Sequence, residues 1–507
     1  MSKRRLLTAA LALVALVVPA ASSLASASHR PSVSSALQSL ERSGAITPAL
    51  YRSDYDAYLA AKRSLARLKG TRHSELGAVF SNLQAIAASR ELTASRLGAL
   101  FLTLERNRQW WTTEPLLNNG ARLTFPPSKL VWEYYAGQGI EIQWLGTFGE
   151  ANGYYLSGNQ NSSLRQVLNE ALSLATQRAG GIAWEYMFRF DGGAPPWTSG
   201  LSQGTALQVY ARAWSRLKEA SYLTAAQQSL GIFLTAPPAG VSVKTAAGSL
   251  YAEYTYAPGD RILNGFIQAL VGLYDYTSIT RDPRGLALFE AGDAEARALV
   301  PGYDTGAWSL YDQFGESNLN YHELLTEFLE HLCRETSKGS PIAPTPPPPT
   351  TTTTTTSTTT TITGTSTTSS TSTTTTTTTT SSPATGGTSA GSPAGAQIAG
   401  DQIYCTTAQR FTADLHTPPA IALLTNRLRR GTRAGVQLSL SKISYVSMTV
   451  RRGATVVWRN SALVGGGKPR LLWRTPRSGG TFSVTLTATD LAGNRAGASG
   501  SIVVPRH

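Results

Sequence analysis

Cysteine, histidine and methionine are scarce, at two, six and three residues in a chain of 507. No metal-ligand spacing involves either cysteine, and neither a phosphate-cradling glycine-rich loop nor a nucleic-acid-binding module is present. No metal, cofactor or nucleic-acid partner is therefore expected. Acidic residues are nearly missing from one region: between Gln397 and His507 only Asp401, Asp414 and Asp490 oppose 15 Lys and Arg, a local charge of +12. Residues 28 to 336 balance at −2, so the +14 of the whole chain describes a near-neutral body and a strongly basic tail.

Long apolar runs are also missing after residue 20; a spanning helix needs about eighteen apolar residues or more, so no later membrane anchor is expected. The one apolar run that exists, Leu6 to Ala20, follows Lys3, Arg4 and Arg5 and precedes Ala25-Ser26-Ala27. That pattern reads as a signal peptide over residues 1–27, which places the mature protein outside the cell, secreted or surface-associated. An uncleaved anchor is the alternative, and the shortness of the run argues against it. Export permits a disulfide between Cys333 and Cys405, although two unrelated thiols fit the sequence equally well.

The length suggests about three domains. Residues 28–115 read as a helical N-terminal subdomain: Tyr51, Tyr55, Tyr58, Leu59 and Leu65 share one face, and further stripes follow from Leu76 to Ile86 and from Leu97 to Trp110, the last preceded by Thr93 as a cap. Prolines and glycines then break the chain between Pro115 and Ser157 into short strands and helix starts. The aromatics there, beside Glu133, Gln138, Glu141, Gln143 and Asn152, suit either a carbohydrate cleft or a core beneath loops. Helix-length patterns recur from Leu164 to Cys333, so residues 116–336 read as a mainly helical body. Residues 337–396 are a Pro-, Thr- and Ser-rich tract with too few apolar residues for a core, expected to be a disordered linker. Alternating Val446, Met448 and Val450, and Phe482, Val484, Leu486 and Ala488, give residues 397–507 the pattern of a β-sandwich similar to immunoglobulin-like or fibronectin-like modules.

The centre of the chain is YAEYTYAPGDRILNGFIQALVGLYDY, Tyr251 to Tyr276. Leu263, Phe266, Ile267, Leu270, Val271 and Tyr274 repeat at the helical period, while Tyr251, Glu253, Tyr254, Thr255 and Tyr256 place a carboxylate among phenols just before that helix. The stretch resembles the C-terminal domain of the D-glucuronyl C5-epimerases, which pair an acidic-Tyr dipeptide with a helix reading LNGF…GLYD. GLSQGTALQVYARAW (Gly200–Trp214), GYDTGAWSLYDQ (Gly302–Gln313) and NYHELL (Asn320–Leu325) resemble further motifs of that family in the same order.

The resemblance implies an (α/α) toroid and inversion of C5 in glucuronosyl residues of a polysaccharide, such as a heparan sulfate-like glycan, in an isomerase that needs no cofactor. Such chemistry requires two acid–base groups on opposite faces of the ring and a site that quiets the carboxylate as charge develops. Carried over motif by motif, Glu253 and Tyr321 are the opposed proton-transfer groups, with Tyr254 and Tyr311 supporting the carboxylate or relaying protons. Asn264 and His322 would orient their neighbours in the substrate site. Where the family has an Arg after its Tyr-Asp motif this chain runs Asp312-Gln313-Phe314-Gly315-Glu316, so the carboxylate clamp is expected from Arg189, Arg212 or Arg261. Glu185 and Asp191 fit a different class, a polysaccharide hydrolase or lyase on a similar toroid. A non-catalytic glycan-binding surface protein is a third. The basic tail could hold an anionic cell-wall polymer or act as a solvated spacer.

Overall fold

The computed structural model describes residues 30–342 and 396–506. The expected signal peptide at 1–27 and all but the ends of the expected linker lie outside the described residues. Thirteen helices order the described chain: α1 (Val33–Arg42), α2 (Pro48–Leu65), α3 (Gly70–Ala88), α4 (Leu97–Thr113), α5 (Trp144–Ser157), α6 (Asn161–Ser173), α7 (Gly200–Leu217), α8 (Ala220–Ser229), α9 (Gly231–Leu234), α10 (Leu263–Thr280), α11 (Pro283–Leu299), α12 (Leu319–Thr336) and α13 (Ala396–Asp414). Short antiparallel strands interrupt the helical region: β1 (Arg122–Leu123), β2 (Trp132–Tyr135) and β3 (Gly139–Ile142) form one sheet, β4 (Thr176–Arg178) pairs with β5 (Gly181–Ala183), and β6 (Ser242–Lys244) with β7 (Ser249–Tyr251). No helix among the described residues is long and apolar enough to cross a membrane.

The N-terminal helices share one continuous core with the body. Their polar residues fix the β2–β3 hairpin: Glu75 accepts the Gly137 and Gly139 N–H groups, and Asn107 bonds both the N–H and the carbonyl of Ile140, at 2.8 and 2.7 Å. Thr93 does not cap α4 as the sequence suggests. A 3₁₀ turn, Ala94–Arg96, intervenes, and the Thr93 hydroxyl faces Ser95 at 3.4 Å.

The central pair is α7 and α10. Gly204 lies so close to α10 that a Cβ there would meet the Ala269 Cα at 2.6 Å, and one at Gly272 would meet the Gly204 carbonyl oxygen at 2.1 Å. Small residues at these two positions let the backbones touch, which brings the loops before both helices to one end. There the Gly200 N–H donates to the Ala252 carbonyl and the Thr255 N–H to that of Thr198.

Beyond the helical body, β8 (Ile421–Leu423), β9 (Arg433–Leu440), β10 (Ser444–Arg452), β11 (Thr455–Val464), β12 (Arg470–Arg474), β13 (Gly480–Asp490) and β14 (Arg495–Val504) form two antiparallel sheets, ordered β11-β10-β13-β14 and β12-β9-β8. Both contribute to one core around Trp473, Phe482, Val446 and Leu438. The expectation of β structure from residue 397 onward needs correcting at its start. Residues 396–414 are helical because Tyr404, Ala408 and Phe411 recur at helical spacing, and all three are buried in the core of the body rather than that of the sheets. Cys333 of α12 and Cys405 of α13 are joined by a disulfide, Cα to Cα 4.9 Å.

Candidate active site

A groove of about 1270 Å³ opens along α5, α7, α10 and α12. Each helix presents polar side chains to it: Glu150 and Asn152 from α5, Thr205, Gln208 and Arg212 from α7, Asn264 and Gln268 from α10, Tyr321 and His331 from α12. At one end stand Glu253, Tyr254, Tyr311 and Tyr321, so the four residues expected to do the chemistry meet in one cavity.

Glu253 follows β7 in the loop stitched to the start of α7. Its Oε1 accepts from the Ser199 hydroxyl at 2.9 Å, and that same hydroxyl accepts the Ser202 N–H as the N-cap of α7. The other oxygen, Oε2, is buried without a partner. It rests against α10 at Gly265, where a Cβ would lie 2.3 Å from it. Burial with no compensating cation pushes the Glu253 carboxyl up to about 8, and the Ser199 and Leu201 donors offset only part of this.

The phenols surround that carboxyl. Tyr311 and Tyr321 stack with ring centroids 4.8 Å apart, and Tyr254 stacks on Tyr256 at 5.2 Å with Trp197 at its edge. Burial raises all three catalytic candidates above the usual tyrosine range, and the negative charge of Glu253 adds to the effect in each. They therefore hold their protons at neutral pH and are proton donors at rest. Asn264 is buried beside them with its Oδ1 unpartnered. Two buried acceptors without partners in one cavity mark where a ligand's hydroxyls would bond.

The remaining candidates are placed differently. Arg212 lines the groove but lies eleven residues along α7 from Leu201, ~16 Å at the helical rise. Its guanidinium is already held by Asp275 at 2.6 Å and Asn152 at 2.8 Å. Arg189 and Arg261 are exposed and do not line the groove. His322 is wholly buried, stacked on Trp308 at 3.7 Å, with Nδ1 facing the Ser309 hydroxyl at 2.8 Å and Nε2 facing the Phe411 carbonyl at 3.0 Å. Burial lowers it to about 4, so it is a neutral structural group turned away from the groove. The carboxylate of the hydrolase alternative is likewise committed: Glu185 is buried in ion pairs with Arg96, at 2.6 Å, and Arg178, while Asp191 is exposed outside the groove.

Three more residues line the cavity, and of these only Tyr186 carried no signal in the sequence. Tyr186 stacks on Trp197 at 4.4 Å within reach of the Glu253 charge. Glu133 lies across the groove on β2, paired with the exposed Arg122 at 3.4 Å, and its charge reaches Tyr321. Ser199 was discoverable, since a Ser just before the GLSQG helix start is the pattern of an N-cap.

Residues 178–342 match the family model of the D-glucuronyl C5-epimerase C-terminus, and all four catalytic candidates fall inside the match. The chain is 30% identical over 131 residues to a D-glucuronyl C5-epimerase of Caenorhabditis elegans, covering 23% of this chain and 21% of that protein. It is 26% identical over 151 residues to an uncharacterized protein of Methanocaldococcus jannaschii, covering 28% of this chain and 49% of the relative. The match thus spans about a fifth of one relative and half of the other. The segment that matches the D-glucuronyl C5-epimerase C-terminus, residues 178–342, is thus also the one whose motif residues meet in the groove.

Proposed function

We propose that the chain is an exported D-glucuronyl C5-epimerase-like enzyme that inverts C5 of glucuronosyl residues within a polysaccharide. The observation that carries this is the buried, proton-affine Glu253 carboxyl, with one oxygen unpartnered, set among three protonated phenols at one end of a long groove. In its ionised form Glu253 takes the C5 proton, and the electron pair left on C5 delocalises into the sugar carboxylate. The Tyr321 phenol gives its proton to the opposite face of C5. Glu253 then holds a proton that Tyr321 lacks, and exchange with solvent through Tyr311 and Tyr254 restores both groups. No electrons are transferred, so the step needs no redox partner.

Because Arg189 and Arg261 stand outside the groove and Arg212 lies ~16 Å along α7 from the reacting end, the clamp we propose for the reacting carboxylate is Arg122, which lines the groove and meets Glu133 at the longer distance of 3.4 Å. An extended groove suits a polymer better than a free sugar, and Arg212 and Arg334 along it fit the acidic groups of flanking residues. The helices around the groove are assigned as the paired helices of an α/α toroid. Residues 1–27 serve as the export signal, and the sheet region, within a tail of net charge +12, suits an anionic wall polymer. The test is deuterium uptake at C5 of glucuronate polymers, retained by the wild type and lost in Glu253→Gln and Tyr321→Phe variants that still bind the polymer.

A further inference from the structure

Tyr311 and Tyr321 are held by a small hairpin and the first turn of α12. Leu310 and Glu316 form an antiparallel bridge, the Tyr311 N–H donates to the Gly315 carbonyl at 2.8 Å, and Asp312 closes the turn by accepting from Phe314 and Gly315. Asn318 then caps the Tyr321 N–H at 2.9 Å. One side of this hairpin faces the groove, and Glu316 points the other way, into the C-terminal sheets. Its Oε1 accepts the Ile443 N–H at 3.1 Å and its Oε2 the Gly466 N–H at 2.6 Å. The run Gly465-Gly466-Gly467 makes room for it, since a Cβ at either of the first two would stand 3.1 Å from the carboxylate.

The same segment is gripped at three further points. Trp308 lies between the His322 ring and Lys442, whose ammonium is 5.2 Å from the indole centroid. Lys442 is itself buried, bound to Asp490 at 2.8 Å and to the Asp414 carbonyl at 2.6 Å. Asp304 pairs with Arg410 of α13, and the Phe411 carbonyl faces His322. Residues far apart in sequence thus converge on the loop bearing two of the four catalytic candidates, and the disulfide anchors α13 to α12 beneath it.

We infer that Glu316 is a positioning residue for the Tyr311–Tyr321 pair, and that α13 and the C-terminal sheets form part of the active site rather than a tethered appendage. The inference rests on the epimerase reading of the groove. Glu316 touches no substrate; its carboxylate holds the hairpin so that the two phenols stand opposite Glu253.

The test uses the full-length chain with Glu316→Ala and Glu316→Gln, read by C5 exchange kinetics and by hydrogen–deuterium exchange of the peptides covering 303–322. For Glu316→Ala we expect kcat to fall roughly 10- to 100-fold, the scale of an ångström-level misplacement. KM for the polymer should stay within about twofold, because the stripes of α7 and α10 are untouched. The amides of 309–317 should exchange faster, and Glu316→Gln, which keeps one acceptor oxygen, should recover part of both effects. Unchanged kcat, a loss confined to KM, or unaltered exchange of the hairpin would overturn the inference. A wild-type chain that never labels C5 would defeat the epimerase reading alone, since hairpin exchange still reports whether Glu316 clasps the loop.

Discussion

The reactive geometry comes down to a carboxyl whose environment keeps it protonated longer than an ordinary glutamate. In the reaction proposed here Glu253 is ionised when it takes the C5 proton, and since its carboxyl sits at about 8, kcat/KM should climb about tenfold per pH unit below that point and level off above it. The phenols, shifted upward, impose no loss in that range. Stability should run the opposite way. A group that gives up its proton near 4.5 when unfolded and near 8 when folded favours the native state at low pH, and this advantage disappears as pH rises between the two values. Glu253→Gln should therefore melt higher than wild type at pH 9 and gain nothing at pH 4. A flat pH–rate profile would remove Glu253 as the base. At this scale the motif residues were legible because several short patterns occur in order, whereas the direction of a side chain was not. Tyr321 and His322 are adjacent and both polar, yet successive helical residues point about 100° apart, so one faces the groove and the other the core. Arg212 lines the groove, but helical rise carries it away from the reacting end, a distance its motif did not reveal.

Among the elements, α7 and α10 set the site, because their close packing brings two loops together where Ser199 and Glu253 meet. Gly265, in the first turn of α10, is the sharpest test of that arrangement. Alanine there is a better helix former by about 1 kcal/mol. Its Cβ, however, would stand 2.3 Å from the Glu253 carboxylate and force it aside. Gly265→Ala should keep the fold and its melting temperature within a few degrees while losing C5 exchange by roughly 100-fold, the order attached to such a displacement. Full activity would show that the carboxylate position is not critical. The long helices were readable from their apolar period, and the strands β10 and β13 from strict alternation. The helix α13 was not: its stripe of Tyr404, Ala408 and Phe411 directly follows a Thr- and Ser-rich tract and precedes a strand-rich region. Only a partner, the face of α12, tells where that stripe is buried.

Over the whole molecule, the basic tail was legible as a separate composition but not as a neighbour of the active site. A tract of about sixty residues could span ~200 Å when extended, and composition carries no information about where its far end docks. Docking is fixed by the Cys333–Cys405 bridge, the Glu316 clasp and the Lys442 cluster. Closing a loop with a sequence separation of 72 residues stabilises a fold by roughly 4 kcal/mol through the unfolded chain. Cys333→Ser paired with Cys405→Ser, or treatment with a reductant, should lower the melting temperature and speed amide exchange in α12 and α13. An unchanged melt would mean that the bridge contributes nothing to this junction.

The most direct measurement is proton NMR of glucuronate-containing polysaccharides incubated in heavy water with the full-length chain. Iduronate signals that carry deuterium at C5 from the first turnovers, and that vanish in Tyr321→Phe, are the predicted result. An unlabelled C5 across a panel of glucuronate polymers that the protein still binds, or the appearance of new chain ends instead of iduronate, would contradict it.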